Sequence, residues 1–320
     1  MMVCAALTLM LVQGADAQDG LSEEELALLA DVQSSVAKFY QQQTYAVTGQ
    51  QVSTTGVDMM GQKMEFTTTQ NIAGQTILGK DGSLVASYQS LEQILDSGIM
   101  GMTSGQTFAY ETILVDGQSY IKFTTSEGLG IVSDYYPQEW TAIDPEDTTS
   151  TLALFNMTPS FGSSYLPING FDNPALMKSV TEVEGGEIDG QAMRIIEFEL
   201  DTAAAQTSGL YGTNQVATSQ ALGAVMGGGA PTSPSVPSTD AITQEQLDQF
   251  MADTTLVQRV WIGVDDGLPH RVEIVIGLDT EMAMEQLGGM SLPIAMETTT
   301  TLDFSDFNAV FDIQAPEVAE

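Results

Sequence analysis

The chain has 320 residues, with 43 Asp and Glu against 8 Lys and Arg and a formal net charge of -35. A surface that acidic repels phosphate backbones and anionic headgroups, so nucleic acid is excluded as a partner. A hydrophobic fraction of 43% excludes wholesale disorder.

Met1 to Val12 is an almost unbroken apolar run, and Gly14, Ala15, Asp16 and Ala17 supply the small-x-small pattern that signal peptidase reads before Gln18. The run is shorter than the roughly 20 residues that span a bilayer. Residues 1–17 are therefore expected to be a cleaved export signal, the alternative being a buried N-terminal helix. No Lys or Arg precedes the run, which is irregular for such a signal. Cys4 is the sole cysteine and leaves with it, so the mature chain is expected to carry no thiol, disulfide or lipid-acceptor cysteine. The protein is expected in the periplasm or outside the cell, as a soluble monomer.

Residues 18–320 read as one domain. Ser22 and Glu25 form a capping box, and Leu26, Leu29, Val32, Val36 and Phe39 follow at spacings of three and four, the stripe of an amphipathic helix. From about Thr44 the period becomes that of strands. Four Asp-Gly pairs punctuate it: Asp81-Gly82, Asp116-Gly117, Asp189-Gly190 and Asp266-Gly267. Asp-Gly suits tight hairpin turns, where both central residues need positive φ.

The pairs predict hairpins from Phe108–Val115 to Gln118–Phe123, from Val180–Glu184 to Met193–Leu200, and from Leu256–Val264 to Arg271–Leu278. In the second, Ile196, Phe198 and Leu200 share a face opposite Glu197 and Glu199. In the third, Leu256, Val260, Ile262 and Val264 match Val272, Ile274, Ile276 and Leu278. Successive hairpins make an antiparallel meander, and the lack of alternating strand-helix units argues against a parallel nucleotide-binding sheet. Thr148–Phe155 is a short helical candidate, 201–226 is Ala-rich and weakly helical, and 227–240 has the Gly/Pro/Ser/Thr composition of a flexible insertion. Thr243 and Gln246 cap a further short helix with Leu247, Phe250 and Met251 on one side.

Chemistry is sparse. His270 is the only histidine, beside Pro269 at the mouth of the third hairpin, and reads as structural. One His and no mature Cys cannot build the usual His-rich metal site, and Asp144-Pro145-Glu146-Asp147 lacks the spacing of a calcium loop. No cofactor, catalytic residue or metal site is expected. Methionine is abundant, with 17 residues, among them Met59, Met60, Met64, Met100, Met102, Met282, Met284, Met290 and Met296 in or beside the strands. Such side chains suit irregular cores and surfaces for variable apolar ligands. Ile113, Leu114 and Val115 are apolar on both faces, as in a sheet that is covered or curls around something apolar.

The opening helix, the meander, the element Val260-Trp261-Ile262-Gly263-Val264 running through Gly267-Leu268-Pro269, and the ending Phe304-Ser305-Asp306-Phe307-Asn308 to Ile313 and Pro316 resemble the LolA/LolB-like lipoprotein-carrier superfamily, nearest its LppX/LprG-type branch. The resemblance implies an α+β fold, with a large curved antiparallel sheet forming an incomplete β-barrel under covering helices. It implies a non-enzymatic carrier whose apolar interior holds lipid or the acyl chains of a lipoprotein. Candidate lining residues are Phe66, Leu114, Ile196, Phe198, Val260, Ile262, Ile274, Ile276 and Met284, with the inward face open. The alternative is an envelope sensory or structural module whose acidic surface binds a protein partner.

Overall fold

The computed structural model describes residues 20–59, 62–99, 102–127, 137–143, 171–202, 204, 249, 252–284 and 290–318. The signal, the candidate helix 148–155 and the 227–240 insertion lie outside them, as do nearly all of 201–226 and of the 243–251 helix.

Helix α1 spans Glu23–Phe39. Ser22 accepts from the Glu25 N–H at 3.3 Å while Glu25 reaches back to the Ser22 N–H at 2.8 Å, so the capping box closes both ways. Leu29, Val32, Val36 and Phe39 are buried as their stripe requires. Leu26, expected on that stripe, is 42% exposed.

Among the described residues eleven strands follow: β1 Thr44–Met59, β2 Gln62–Leu78, β3 Leu84–Ile99, β4 Met102–Val115, β5 Gln118–Glu127, β6 Thr141–Ile143, β7 Met177–Ile188, β8 Gln191–Leu200, β9 Thr254–Gly263, β10 Pro269–Met284 and β11 Met290–Ser305. They form one antiparallel sheet in the order β6-β5-β4-β3-β2-β1-β11-β10-β9-β8-β7. One meander runs outward from β1 to β6, a second returns from β7 to β11, and the β1–β11 pairing from Ala46↔Ser305 to Val57↔Ile294 joins them. Among the described residues the edges β6 and β7 do not pair, so the sheet is an incomplete barrel. Twisted sheets of about ten strands or more curl rather than stay flat.

The turns divide by their chemistry. At Asp116-Gly117 and Asp189-Gly190 both residues have positive φ (53° and 76°, 50° and 82°), as two-residue hairpins require. At Asp81-Gly82 and Asp266-Gly267 only the glycine does. There the aspartate instead accepts from backbone two residues on, Asp81 from the Ser83 N–H at 3.1 Å and Asp266 from the Leu268 N–H at 2.9 Å. The third hairpin is correspondingly longer, with a bulge between Pro269 and Arg271. Val264 falls outside β9 and is 56% exposed, contrary to its expected place on one face with Leu256, Val260 and Ile262.

The main core lies between α1 and one face of the sheet. It joins Leu29, Val32, Val36 and Phe39 to Tyr45, Val47, Ile196, Phe198, Val260, Val272, Leu302 and Phe304. Phe39 stacks against Tyr45 (4.7 Å) and meets the ring edges of Phe304 (5.3 Å) and Phe307 (6.1 Å). Each such side chain contributes about 1.5–3 kcal/mol on burial. A smaller cluster of Ile121, Phe123 and Ile143, with Phe108 and Tyr110 against it, sits toward the β6 edge.

Candidate ligand-binding face

Side chains alternate across a strand, so the register assigns every strand position to one face or the other. Beginning from Val47, which packs under α1, the paired positions are Gly74 in β2, Gln89 in β3 and Thr112 in β4 on one side, and Phe304 in β11 on the other. Extended along the strands, this set contains all nine residues nominated from the sequence. Phe66 pairs with Thr55, Leu114 with Ser87, Ile196 with Val260, Phe198 with Gln258, Ile274 with Thr300 and Ile276 with Leu256. Ile262 and Met284 continue the alternation of β9 and β10, and Met284 pairs with Met290 at a position where only the backbone is described.

The nine do not share one environment. Ile196, Phe198 and Val260 are fully buried and Ile262 is 6% exposed, all inside the core that α1 covers. Ile274 and Ile276 are half-buried at its margin. Phe66 and Leu114 are half-buried on the other meander, distant from α1 along the sheet.

Charge separates the faces. In β1 to β5 and β9 to β11 every Asp, Glu, Lys and Arg occupies a position on the face opposite α1. In β10 these are Arg271, Glu273, Asp279 and Glu281, in β11 Glu297 and Asp303, in β3 Glu92 and Asp96. The α1 side of these strands carries apolar residues, Gly, Gln, Ser, Thr, the buried Tyr45 and the half-buried Tyr110. Burial pushes the hydroxyls of Tyr45 and Tyr110 up to about 12.

The charged face is held by cross-strand polar ladders. Gln50 donates to Asn71 at 3.0 Å and Asn71 to Glu92 at 2.9 Å, crossing three strands. Arg259 in β9 bridges Glu197 in β8 (2.6 Å) and Glu273 in β10 (2.5 Å). Such pairs directly opposite each other stabilise a sheet by roughly 0.2–1 kcal/mol. A recess of about 390 Å³ on this face is lined by Gly49, Gln50, Val52, Thr299, Thr301 and Asp303. A second of about 270 Å³ lies where β1 starts and β2 ends, lined by Gln43, Thr44, Ile77 and Asn308 to Phe311. None of the nominated residues lines either recess.

Two polar constellations were not read from the sequence. Arg194 joins Glu182 of β7 to Asp31 of α1 at the margin of the core. His270 Nε2 lies 2.9 Å from Asp266 Oδ2, with its ring edge-on to Phe307 at 5.4 Å. Burial alone would raise the Asp266 carboxyl, but hydrogen bonds from the Leu268 N–H, His270 and Gln191 outweigh it and leave it lowered. An orienting partner for His270 was not expected. The pair lies at the β9–β10 connection. Among the described residues no group of three or more His, Cys, Asp or Glu is placed to hold a metal ion, and no helix is long and apolar enough to cross a membrane.

No family model matches the chain and no curated protein matches it. Among solved structures it is similar to lipoprotein LppX from Mycobacterium tuberculosis, at 11% identity over 92% of this chain and 100% of that one, with a TM-score of 0.34. It is similar to LprF from Mycobacterium bovis at 11% identity, over 93% and 99% of the two chains, with a TM-score of 0.37. A DUF1329 family protein from Desulfovibrio piger is 10% identical over 91% and 96%, with a TM-score of 0.21. The LppX-type likeness read from the sequence thus reappears among solved structures, as a whole-length likeness too low in identity and TM-score to carry a ligand or an activity across.

Proposed function

We propose that this chain is an exported, non-enzymatic carrier that holds lipid, or the acyl chains of a lipoprotein, against the uncharged face of its open sheet. The observation that supports the reading is the partition of charge. A chain with a net charge of -35 keeps Asp, Glu, Lys and Arg off one face of eight long strands, although α1 needs only the part of that face near β7 to β10 and the adjoining ends of β1 and β11. Burial of acyl methylenes, each worth about 0.8 kcal/mol, would drive binding. Of the nine nominated residues, Phe66, Leu114, Ile274 and Ile276 are the half-buried ones that a ligand would meet. Ile196, Phe198, Val260 and Ile262 would form the floor beneath α1.

Native mass spectrometry of gently purified protein, with organic extraction, tests the reading. Lipid should co-purify, and stripped protein should take up a fluorescent fatty acid. Protein that carries no lipid and takes up no probe ends it. The second reading, a module filled by its own side chains whose acidic outer face binds an envelope protein, draws on the full burial of Ile196, Phe198 and Val260 under α1. A folded, lipid-free protein recovered by crosslinking to an envelope partner would favour it.

A further inference from the structure

We propose that a belt of uncharged amides and hydroxyls across this face recognises the ester or amide linkage of a neutral lipid, with the lipid's hydrocarbon lying on the methionine-bearing side of the belt. The inference rests on the carrier reading above and names the chemistry of that site. The register aligns Gln93 of β3, Gln70 of β2, Gln51 of β1 and Thr300 of β11 in one row, since Gln93 pairs with Gln70, Gln70 with Gln51 and Gln51 with Thr300. The next row is Thr68, Ser53 and Thr298. Gln70 donates to Gln93 at 3.3 Å, and the hydroxyls of Ser53 and Thr298 share a hydrogen bond of 2.9 Å.

Mostly apolar rows flank the belt. On the α1 side lie Leu91, Ile72, Gly49, Leu302 and Val272, and on the other Phe66, Met296 and Leu278, with Thr55 between Phe66 and Met296 and Ser97 beside Phe66, followed by Met64, Val57 and Ile294. A face filled only by its own hydrophobic side chains has no use for such an interruption, because polar groups taken out of water must find hydrogen-bond partners. Each glutamine amide has two donors and two lone pairs, more than the one Gln70–Gln93 bond consumes. No Asp, Glu, Lys or Arg shares these rows, so a charged headgroup placed there would be buried without a counter-ion. An ester or amide would satisfy the belt without that cost. From Gln51 to Met59 the strand runs about 26 Å at ~3.3 Å per residue. That exceeds one leaflet's share of a hydrocarbon core about 30 Å thick, so an acyl chain anchored at the belt fits on the apolar stretch beyond it.

The test compares 1,2-dioleoylglycerol with its ether-linked analogue, each displacing a fluorescent fatty acid from the full protein. The two lipids share their hydrocarbon and differ in the carbonyls. Wild type should prefer the ester about fivefold, the scale of one hydrogen bond. Gln51→Leu/Gln70→Leu should lose that preference while keeping its affinity for the ether. Gln93→Leu alone, checked for folding by circular dichroism, provides the same comparison if the double variant does not fold. Equal binding of both lipids by wild type, or a preference that survives in the variants, overturns the belt and leaves the carrier reading standing. Failure of folded wild type to bind either lipid or the probe overturns both.

Discussion

Arg194 donates to Asp31 at 2.9 Å across the seam between the sheet and α1, while the same guanidinium grips Glu182 through both carboxylate oxygens at 2.9 and 3.0 Å. The helix is thereby tied by charge to the β7–β8 hairpin at the margin of an otherwise apolar contact. All three side chains are at least a third exposed, so Arg194→Ala should cost no more than about 1 kcal/mol in chemical denaturation at neutral pH. The hydrogen bonds from Arg194 hold the Glu182 carboxyl below its ordinary value. A carboxyl lowered in the folded state contributes stability above its unfolded value, about 4.3, and loses it as pH falls through the folded value. The difference between wild type and Arg194→Ala should therefore be constant at neutral pH and shrink as the solution is acidified below about pH 4. A difference unchanged in acid would remove Glu182 from the account.

Tyr45 and Tyr110 provide an alkaline counterpart. Both hydroxyls are pushed up to about 12 by burial, against about 10 in an unfolded chain. A group raised on folding contributes stability below its unfolded value and loses it as pH rises through the folded one. Tyrosinate absorbance should thus show a late fraction titrating together with unfolding, between about pH 10 and 12. Tyr45→Phe should narrow that window. Complete tyrosinate formation while the far-ultraviolet spectrum remains native would contradict it.

Gly49 of β1 leaves no room for a side chain against β11. A Cβ there would meet the Thr301 carbonyl oxygen, and Leu302 Cδ2 at 2.5 Å, so the leucine fills the place a side chain would take. Gly49→Ala should destabilise the protein by about 1–3 kcal/mol by wedging apart the strands that join the two meanders. Gly56→Ala, in the same strand pair, has only a backbone oxygen at 3.8 Å to contend with and should be tolerated. Equal melting temperatures for the two variants would refute the argument.

The assignment of faces can be tested with one charge moved by one residue. Ile276→Asp places a carboxylate on the uncharged face, and Val275→Asp places it on the charged one. Uptake of a fluorescent fatty acid should fall at least tenfold in the first and stay within about twofold in the second, provided that both retain a folded spectrum. Similar uptake by the two would mean that the ligand does not use this face.

Where residue chemistry is local, the fold was readable. The capping box of Ser22 and Glu25, the Leu29-to-Phe39 stripe and the Asp-Gly turns each depend on neighbours within a few positions, and each occurs where its spacing places it. Within a strand, Ile196 and Phe198, Val260 and Ile262, and Ile274, Ile276 and Met284 share a face because residues an even number apart must do so, whereas the register sets Phe66 and Leu114 on the same face. What was missed depends on pairing across the sheet. The strands β1 and β2 are long and rich in Thr, Gln and Ser, so their inward positions do not announce themselves by hydrophobicity. Gln70 was in fact legible, since it lies on the same alternation as Phe66 and Ile72. Its alignment with Gln51 and Gln93 belongs to the register, which no single strand contains. Likewise Arg194 and Asp31 are 163 residues apart, and nothing local links them.

Four consecutive threonines, Thr298 to Thr301, occupy the centre of β11, the strand that closes the two meanders on each other. Being identical on both faces, they cannot tell β11 which way to face, and sliding by one residue would cost them nothing. The choice falls to what brackets them. Asp303 is gripped by Arg271 through two hydrogen bonds on one side of the sheet, while Leu302 and Phe304 sink beneath α1 on the other. A slip of one would drive Glu297 and Asp303 into the apolar interior and expel Phe304, a penalty that threonine alone could never impose. The sorting of charge thus also guards the register: it makes the misaligned sheet, rather than the aligned one, the state with buried carboxylates.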